Sequence, residues 1–409
     1  MESSHQSVAS RRRRALVVVA AAELLAMSLW FSATAAAPEL AAEWGLTATE
    51  TAWLTIAVQL GFVAGAFLSS ALTLSDVIRP RYLFAASAAA GAGFTALIAG
   101  FVNAATPAIA LRFLTGMALA GVYPPGMKIL AGWFEEGRGF AIGVLVGSLT
   151  VGSALPHLLR GLGGVGQPRV VLYGAAALAA VGGLLVLFVE PGPHQAPAAP
   201  FDPSAIGRIL RDRGTMLANG GYFGHMWELY AVWTWIPAYL AASLAAGGIE
   251  ASSELASMLT FGTIAIGGLG AVAAGIAADR AGRTAITSAS MVVSGVACIA
   301  AGFAFGSSLV VVVPFVLIWG FAIVADSAQF SAAVSELAEE SYVGTALTLQ
   351  TAIGFLLTTI SIQLIPFVAE MVGWQWAFTA LTIGPALGTL AMLRLRGLPE
   401  AGRLAGGRG

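Results

Sequence analysis

Residues Gly220 to Leu240 read GGYFGHMWELYAVWTWIPAYL. The run is long enough to cross a bilayer as a helix, and it is mostly apolar. Its centre nonetheless holds His225 and Glu228, ringed by Tyr222, Trp227, Tyr230, Trp233 and Trp235. Positions three apart share a helix face, so the imidazole and the carboxylate are expected to point the same way. Such groups are costly at membrane depth and rarely face lipid. This helix is therefore expected to face a cavity or another helix.

The composition agrees with a membrane setting. Of 409 residues, 58% are hydrophobic and only 10% are charged, whereas soluble chains carry about 25% charged residues. No water-soluble surface is built from so few charges. The net charge of −1 gives no basis for a nucleic-acid partner. The single cysteine, Cys298, forms no internal disulfide, and no Cys/His cluster points to a metal. Arg11 to Arg14 precede an apolar stretch, as in a signal peptide. That stretch runs from Ala15 to Ala37, too long for a signal core, and reads as a retained first span.

Apolar runs give twelve expected spans, at 15–37, 51–73, 82–102, 105–127, 139–161, 170–189, 215–240, 254–277, 284–305, 309–332, 344–368 and 375–394. With the N-terminus placed in the cytoplasm, all but three of the 20 basic residues fall in cytoplasmic segments. The exceptions are Arg160 and Arg169, outside, and Arg112, within a span. The expectation is an all-α membrane protein with both termini cytoplasmic. A proline-dense segment, PGPHQAPAAPFDP at Pro191–Pro203, splits the spans six and six. The expected organisation is an N-terminal tail over 1–14, a six-helix bundle over 15–190, a linker over 191–214, a second bundle over 215–397 and a tail over 398–409.

The two halves look related. LSDVIRPR, with Asp76, follows the second span, and GIAADRAGR, with Asp279, follows the eighth. Glu135 and Glu136 follow the fourth span, and Glu339 and Glu340 follow the tenth. The offsets from Asp76 to Asp279 and from Glu135 to Glu339 differ by one residue, and each is about half the chain. Duplicated six-span halves around a midplane site are a transporter architecture.

The sequence resembles the major facilitator superfamily (MFS) over essentially its whole length. Gly275-Ile-Ala-Ala-Asp279-Arg280-Ala-Gly282-Arg283 fits that family's loop motif, Gly-x-x-x-Asp-Arg-x-Gly-Arg. The first-half copy is degenerate, with Leu72 in the glycine position and Val77 in the arginine position. Arg112-Phe-Leu-Thr-Gly116 is similar to the family's arginine motif linked to proton coupling. Gly143-x3-Gly147 resembles its antiporter motif, but Ser148 stands where proline is expected. GVYPPGMKILAGWF, Gly121–Phe134, resembles the cyanate and nitrate permease group, although no arginine accompanies Gln59 on the second span. The resemblance implies two six-helix bundles whose first, fourth, seventh and tenth spans line a central cavity.

Glu23, Arg112, His225, Glu228 and Asp326 fall on those four spans. Glu23, about 12 Å into the first span at 1.5 Å per residue, is read as a proton-carrying carboxylate, with Met27, Trp30 and Thr34 on its face. His225 and Glu228 are read as a second proton-handling pair, since histidine titrates near neutral pH. Asp326 is a further proton site or inner-gate partner. Arg112 keeps its charge and needs an acid, a carbonyl or an anionic ligand, so it is read as a substrate anchor. Trp30, Gln59, Tyr222, Trp227 and Gln329 are expected to contact substrate. Trp233, Trp235 and Tyr239, near the outer end of their span, are read as an interfacial belt, and His157 as a packing residue. Asp76, Gly275, Asp279, Arg280, Gly282 and Arg283 are read as a gating loop that latches the halves.

These residues point to a secondary transporter working by alternating access in the cell inner membrane, monomeric and coupled to protons. No phosphate-cradling loop or catalytic motif is present, so neither a cofactor nor an enzyme is expected. Two substrates remain open: uptake of a small organic or inorganic anion held by Arg112, the favoured reading, or export of lipophilic or cationic compounds attracted by Glu23. A non-transporting membrane receptor or sensor is the rival from another class.

Overall fold

The computed structural model describes residues 2–72, 74–134, 138–194, 202–250 and 253–409. The side chains of Asp76 and Glu340, and the Glu135–Glu136 pair used above for the internal repeat, lie outside the described residues. Among the described residues there are helices and loops but no strand. Eleven helices are long and apolar enough to cross a membrane. They are α2 (Ala48–Ala71), α3 (Pro80–Phe101), α4 (Ala105–Trp133), α5 (Phe140–Gly164), α6 (Pro168–Phe188), α7 (Arg213–Ala246), α8 (Ser253–Ala281), α9 (Arg283–Ala304), α10 (Leu309–Leu337), α11 (Val343–Val372) and α12 (Ala377–Arg396).

The expected first span takes a different form. Helix α1 begins at Glu2, well before Ala15, and runs to Ala26. Arginine is a good helix former, so the Arg11–Arg14 run extends the helix instead of ending it. Its apolar part then breaks into a tight turn at Met27–Leu29 and resumes at Ser32–Ala35. This break keeps α1 from counting as a continuous apolar span. Several other helices overrun the expected limits: α7 extends to Ala246 and α10 to Leu337. Helix ends carrying polar residues continue past the apolar stretch that sequence alone detects.

Close backbone approaches organise the packing. Helix α2 packs on α4, and α8 packs on α10. A Cβ on Gly116 would fall 1.9 Å from the carbonyl oxygen of Val58, and one on Gly320 would fall 1.8 Å from that of Thr263. Only glycine admits these crossings, as is common where helices meet in lipid. Gly116 and Gly320 are displaced by the same offset as Glu135 and Glu339. The breaks inside α4, at Ala120–Val122, and inside α10, at Asp326, follow the same displacement. The internal repeat therefore extends from loop residues to packing contacts. The α2/α11 and α5/α8 seams join the first six helices to the last six.

Gly116→Val is expected to destabilise the protein by about 1–3 kcal/mol, the usual cost of overpacking. Thermal unfolding in detergent measures this, and an unchanged midpoint would contradict the close α2/α4 crossing.

Candidate functional site

The two sets of helices meet at an aromatic cluster. Trp30 and Phe31 of the α1 break, Phe62 of α2, Tyr230 and Trp233 of α7 and Phe355 of α11 form it. Trp30 lies 5.3 Å from Phe62 and 5.7 Å from Phe355 between ring centroids, and Tyr230 lies 5.2 Å from Phe355. The α1 break makes room for this meeting of rings. Beside the cluster, the α2/α4/α11 seam holds a cleft of about 200 Å³ lined by Phe62, Tyr123, Met127, Thr348 and Thr351. No charged side chain lines it. A second crevice of about 190 Å³ lies in the α5/α8 seam, reaching from Phe140 and Gly143 to Asp279, Arg283 and Gln329.

The five ionisable groups expected in one path are all buried, yet they divide among several surroundings. Glu23 is fully buried, and neither carboxylate oxygen has a hydrogen-bond partner among the described residues. Helix α4 passes it at Gly126, where a Cβ would lie 3.0 Å from Oε2. Tyr123, which lines the cleft, precedes Gly126 by three residues on the same helix. His225 Nδ1 lies 2.8 Å from Asp326 Oδ1, which ties α7 to the break in α10. Phe330 and Tyr222 flank the imidazole at 5.6 and 6.2 Å between ring centroids.

Glu228 does not pair with His225 as the shared face led one to expect. Its carboxylate accepts from Ser294 Oγ at 2.9 Å, Cys298 Sγ at 3.3 Å and Trp319 Nε1 at 3.1 Å. These donors come from α9 and α10, so the group sits inside the second helix set. Three donors supply the hydrogen bonds that a buried carboxylate needs. Cys298 thus has a role as donor that its isolation in an apolar run concealed.

Arg112 is likewise fully occupied. Nε donates to Leu54 O at 3.0 Å, and Nη1 donates to Leu29 O at 2.8 Å and to Ser32 Oγ at 3.2 Å. Nη2 donates to Trp30 O. Helix breakage orphans backbone carbonyls, and here one guanidinium collects those of the α1 break. This surrounding is a structural clamp within the first helix set, and each guanidinium nitrogen is engaged by protein oxygens instead of standing ready for an anion. Arg112→Ala is expected to cost more than about 2 kcal/mol, because several buried acceptors lose their donor at once. Chemical or thermal unfolding tests this, and a neutral substitution would show the clamp to be dispensable.

The remaining expected contact residues also separate. Trp30 is at the central cluster. Gln59 Oε1 accepts from Thr358 Oγ1 at 2.5 Å, bridging α2 and α11. Tyr222 packs against Gly354 of α11. Trp227 packs against Gly384 of α12 instead, away from the first helix set. Gln329 Oε1 accepts from Arg283 Nη1 at 2.7 Å beside the crevice. His157 is buried in α5, with no partner for Nε2 among the described residues. Trp233, Trp235 and Tyr239 do not form a lipid-facing belt. All three are buried; the Trp235 indole donates to Ile362 O at 2.8 Å and the Tyr239 hydroxyl to Ala301 O at 2.7 Å. The polar tips of Trp235 and Tyr239 serve helix–helix contacts, which hydropathy and position along a span do not distinguish from a belt.

The motif loop makes its strongest ties within the second helix set. Arg283 grips Glu336 of α10 with Nε–Oε2 at 2.9 Å and Nη2–Oε1 at 2.6 Å, while Asp279 lies 3.9 Å away. Gly282 turns the chain at φ 94°, Gly275 faces Gln329, and Arg280 is exposed. The C-terminal segment folds over the loop: Arg408 donates to Asp279 O, and Thr284 Oγ1 donates to Gly409 O at 2.8 Å. No ion pair across the helix sets involves this loop among the described residues.

Polar bridging of the α5/α8 seam occurs at the opposite end of the molecule, through Arg160. Its Nη2 lies 2.7 Å from Glu39 Oε1, and its Nη1 donates to Ser257 Oγ at 2.6 Å and to Ser253 O at 3.3 Å. Arg160 opens the wide turn Arg160–Gly164 at the end of α5, which aims the guanidinium at α8. Sequence reasoning used Arg160 only in the charge count; its place opposite Glu39 depends on folding of the α1–α2 connection. A bond from a charged donor contributes about 1.5–3 kcal/mol. Arg160→Ala is therefore expected to speed maleimide labelling of a Thr260→Cys reporter, buried one turn from Ser257, by about 10-fold or more. Equal labelling rates would show that Arg160 does not hold this end shut.

The Major Facilitator Superfamily model matches residues 19–247. No curated protein matches the chain. Among solved structures, a single-residue mutant of the nucleoside transporter NupG is similar with a TM-score of 0.73 and 15% identity, covering 93% of this chain and 99% of that one. A bacterial homologue of the human lysosomal transporter Spinster, inward-facing and unoccupied, is similar with a TM-score of 0.73 and 14% identity, covering 95% and 99%. At such identities these two likenesses concern the fold. The family match, the apolar helices and the duplicated halves lead to one conclusion: the chain belongs to the Major Facilitator Superfamily, and it is a multi-pass membrane transporter of the secondary type and not an enzyme.

Proposed function

We propose that the protein is a proton-coupled transporter of lipophilic or cationic compounds, with Glu23 as its principal proton site. The observation that carries this reading is a buried carboxylate without a hydrogen-bond partner among the described residues, set against Gly126 of α4, about one turn from Tyr123 of the inter-set cleft. A carboxylate so placed is stable when protonated and costly when charged, unless water or a cation reaches it. Water entry through the cleft therefore controls proton release. His225 and Asp326, paired at the α10 break, form a second exchange point. Glu228, held by three donors, is a structural member of the second helix set.

The cleft supports a lipophilic or cationic substrate over an anion. Its walls are Phe62, Tyr123, Met127 and apolar neighbours, with Thr348 and Thr351 as the polar groups. Aromatic faces attract cations. The anion reading relied on Arg112, whose donors are engaged by the α1 break and by Leu54 O of α2.

In this account the α1 break completes a twelfth span, both termini are cytoplasmic, and the protein resides in the cell membrane. Residues 15–190 and 215–397 rock as two bodies joined by the 191–214 linker. The end closed by Arg160 faces outward, and the seams carrying the two clefts open inward. The distribution of basic residues supports this orientation.

Purified protein in proteoliposomes tests the reading, first by screening hydrophobic amines against organic anions under an imposed pH gradient. Glu23→Gln is then expected to lower gradient-driven movement at least about 100-fold, within the usual range for removing a proton-transfer group. Exchange of labelled for unlabelled substrate should persist. Full gradient-driven flux in Glu23→Gln would overturn Glu23 as the coupling site, and transport confined to anions would overturn the substrate assignment.

A further inference from the structure

A pocket of about 290 Å³ lies where the ends of α4 and α6 meet α1 at the start of its apolar part, apart from the inter-set seams. Arg11, Arg14, Trp133, Phe188, Val189 and Glu190 line it. We infer that it binds the phosphodiester headgroup of a membrane phospholipid. The inference does not depend on the proposed substrate, coupling ion or orientation.

The walls are built by specific contacts. Trp133 Nε1 donates to Glu190 O at 2.9 Å, and Arg81 Nη1 donates to Val189 O at 3.2 Å. These bonds pin the chain after α6 against the end of α4 and the start of α3. Val189 and Trp133 are buried and form a floor, while Phe188 is 68% exposed at the mouth. An apolar lip beside a polar pocket suits a molecule with a charged head and a hydrocarbon body.

The charges suit a phosphodiester. Arg11 and Arg14 are three apart on a helix, so their side chains share a face. Neither has an ion-pair partner among the described residues. Arg12 is directed elsewhere, 5.1 Å above the Phe134 ring. Guanidinium groups bind phosphate oxygens through paired N–H donors. Glu190 at the rim offsets one of the two positive charges. The net charge of the pocket then matches the single negative charge of a phosphodiester. Tryptophan and arginine at the ends of apolar helices also lie at headgroup depth.

Native mass spectrometry of the full chain, titrated with phosphatidylglycerol, tests the inference. Arg11→Gln/Arg14→Gln should weaken binding by about 10-fold or more. Glu190→Gln should tighten it, a gain that misfolding would not produce. Arg12→Gln should leave it unchanged. Equal weakening by Arg12→Gln would reduce the effect to the general charge of the arginine run and overturn the site. Unchanged binding in the double variant would also overturn it. Glycerophosphoglycerol and inorganic phosphate separate the sources of phosphate. Weak binding of both supports a lipid held by head and chain together, whereas phosphate binding as tight as the lipid would make this a soluble-anion site.

Discussion

A charged group inside a helix bundle in lipid needs partners, and this requirement accounts for where the chain's few ionisable side chains sit. Glu228 receives three donors from two helices. Arg112 takes two carbonyls released by a broken helix and one from α2. Arg160 meets a carboxylate and two oxygens of α8. Each of these groups has exchanged water for fixed protein dipoles, so each stabilises one arrangement of helices. Glu23 stands apart, because neither of its oxygens is bonded among the described residues. A group in that state responds to whatever reaches it, which is the property a coupling site needs and a structural bridge lacks.

The satisfied groups also divide the molecule mechanically. Arg112 and Glu228 each bond within their own helix set, and each set contains a glycine-mediated crossing. Contacts between the sets are fewer and differ along the seams. At one end Arg160 reaches Ser257 and Gln363 reaches Thr49 O at 3.4 Å, and about midway along the seam the α5 and α8 backbones touch at Gly147 and Gly268. At the other end the same seams open into the two clefts. An arrangement tight at one end and open at the other is what alternating access requires of any single state.

Much of this was legible in the sequence, and what was not has identifiable causes. Long apolar runs and the paired loops after the second and eighth spans revealed the membrane fold and its duplication, because lipid imposes length and composition directly. The α1 break was hidden, since Met27 to Phe31 are as apolar as their neighbours and contain neither proline nor glycine. Helical spacing put His225 and Glu228 on one face of α7 but gave no sign of their partners. Those come from α9 and α10, and one of them is the lone cysteine. Trp235 and Tyr239 looked like interfacial residues because position along a span says nothing about which side faces lipid. Arg160 escaped notice because its function depends on three segments remote in sequence, joined only when the halves meet.

The central claim is that a proton on a buried carboxylate accompanies each passage of substrate. The most direct measurement is proton movement itself, followed by a pH-sensitive dye sealed inside proteoliposomes while a substrate gradient is applied without a pH gradient. Coupling predicts a substrate-dependent change of internal pH, abolished by a protonophore and reversed in sign when the substrate gradient is reversed. Substrate movement at full rate with no accompanying pH change would contradict the account.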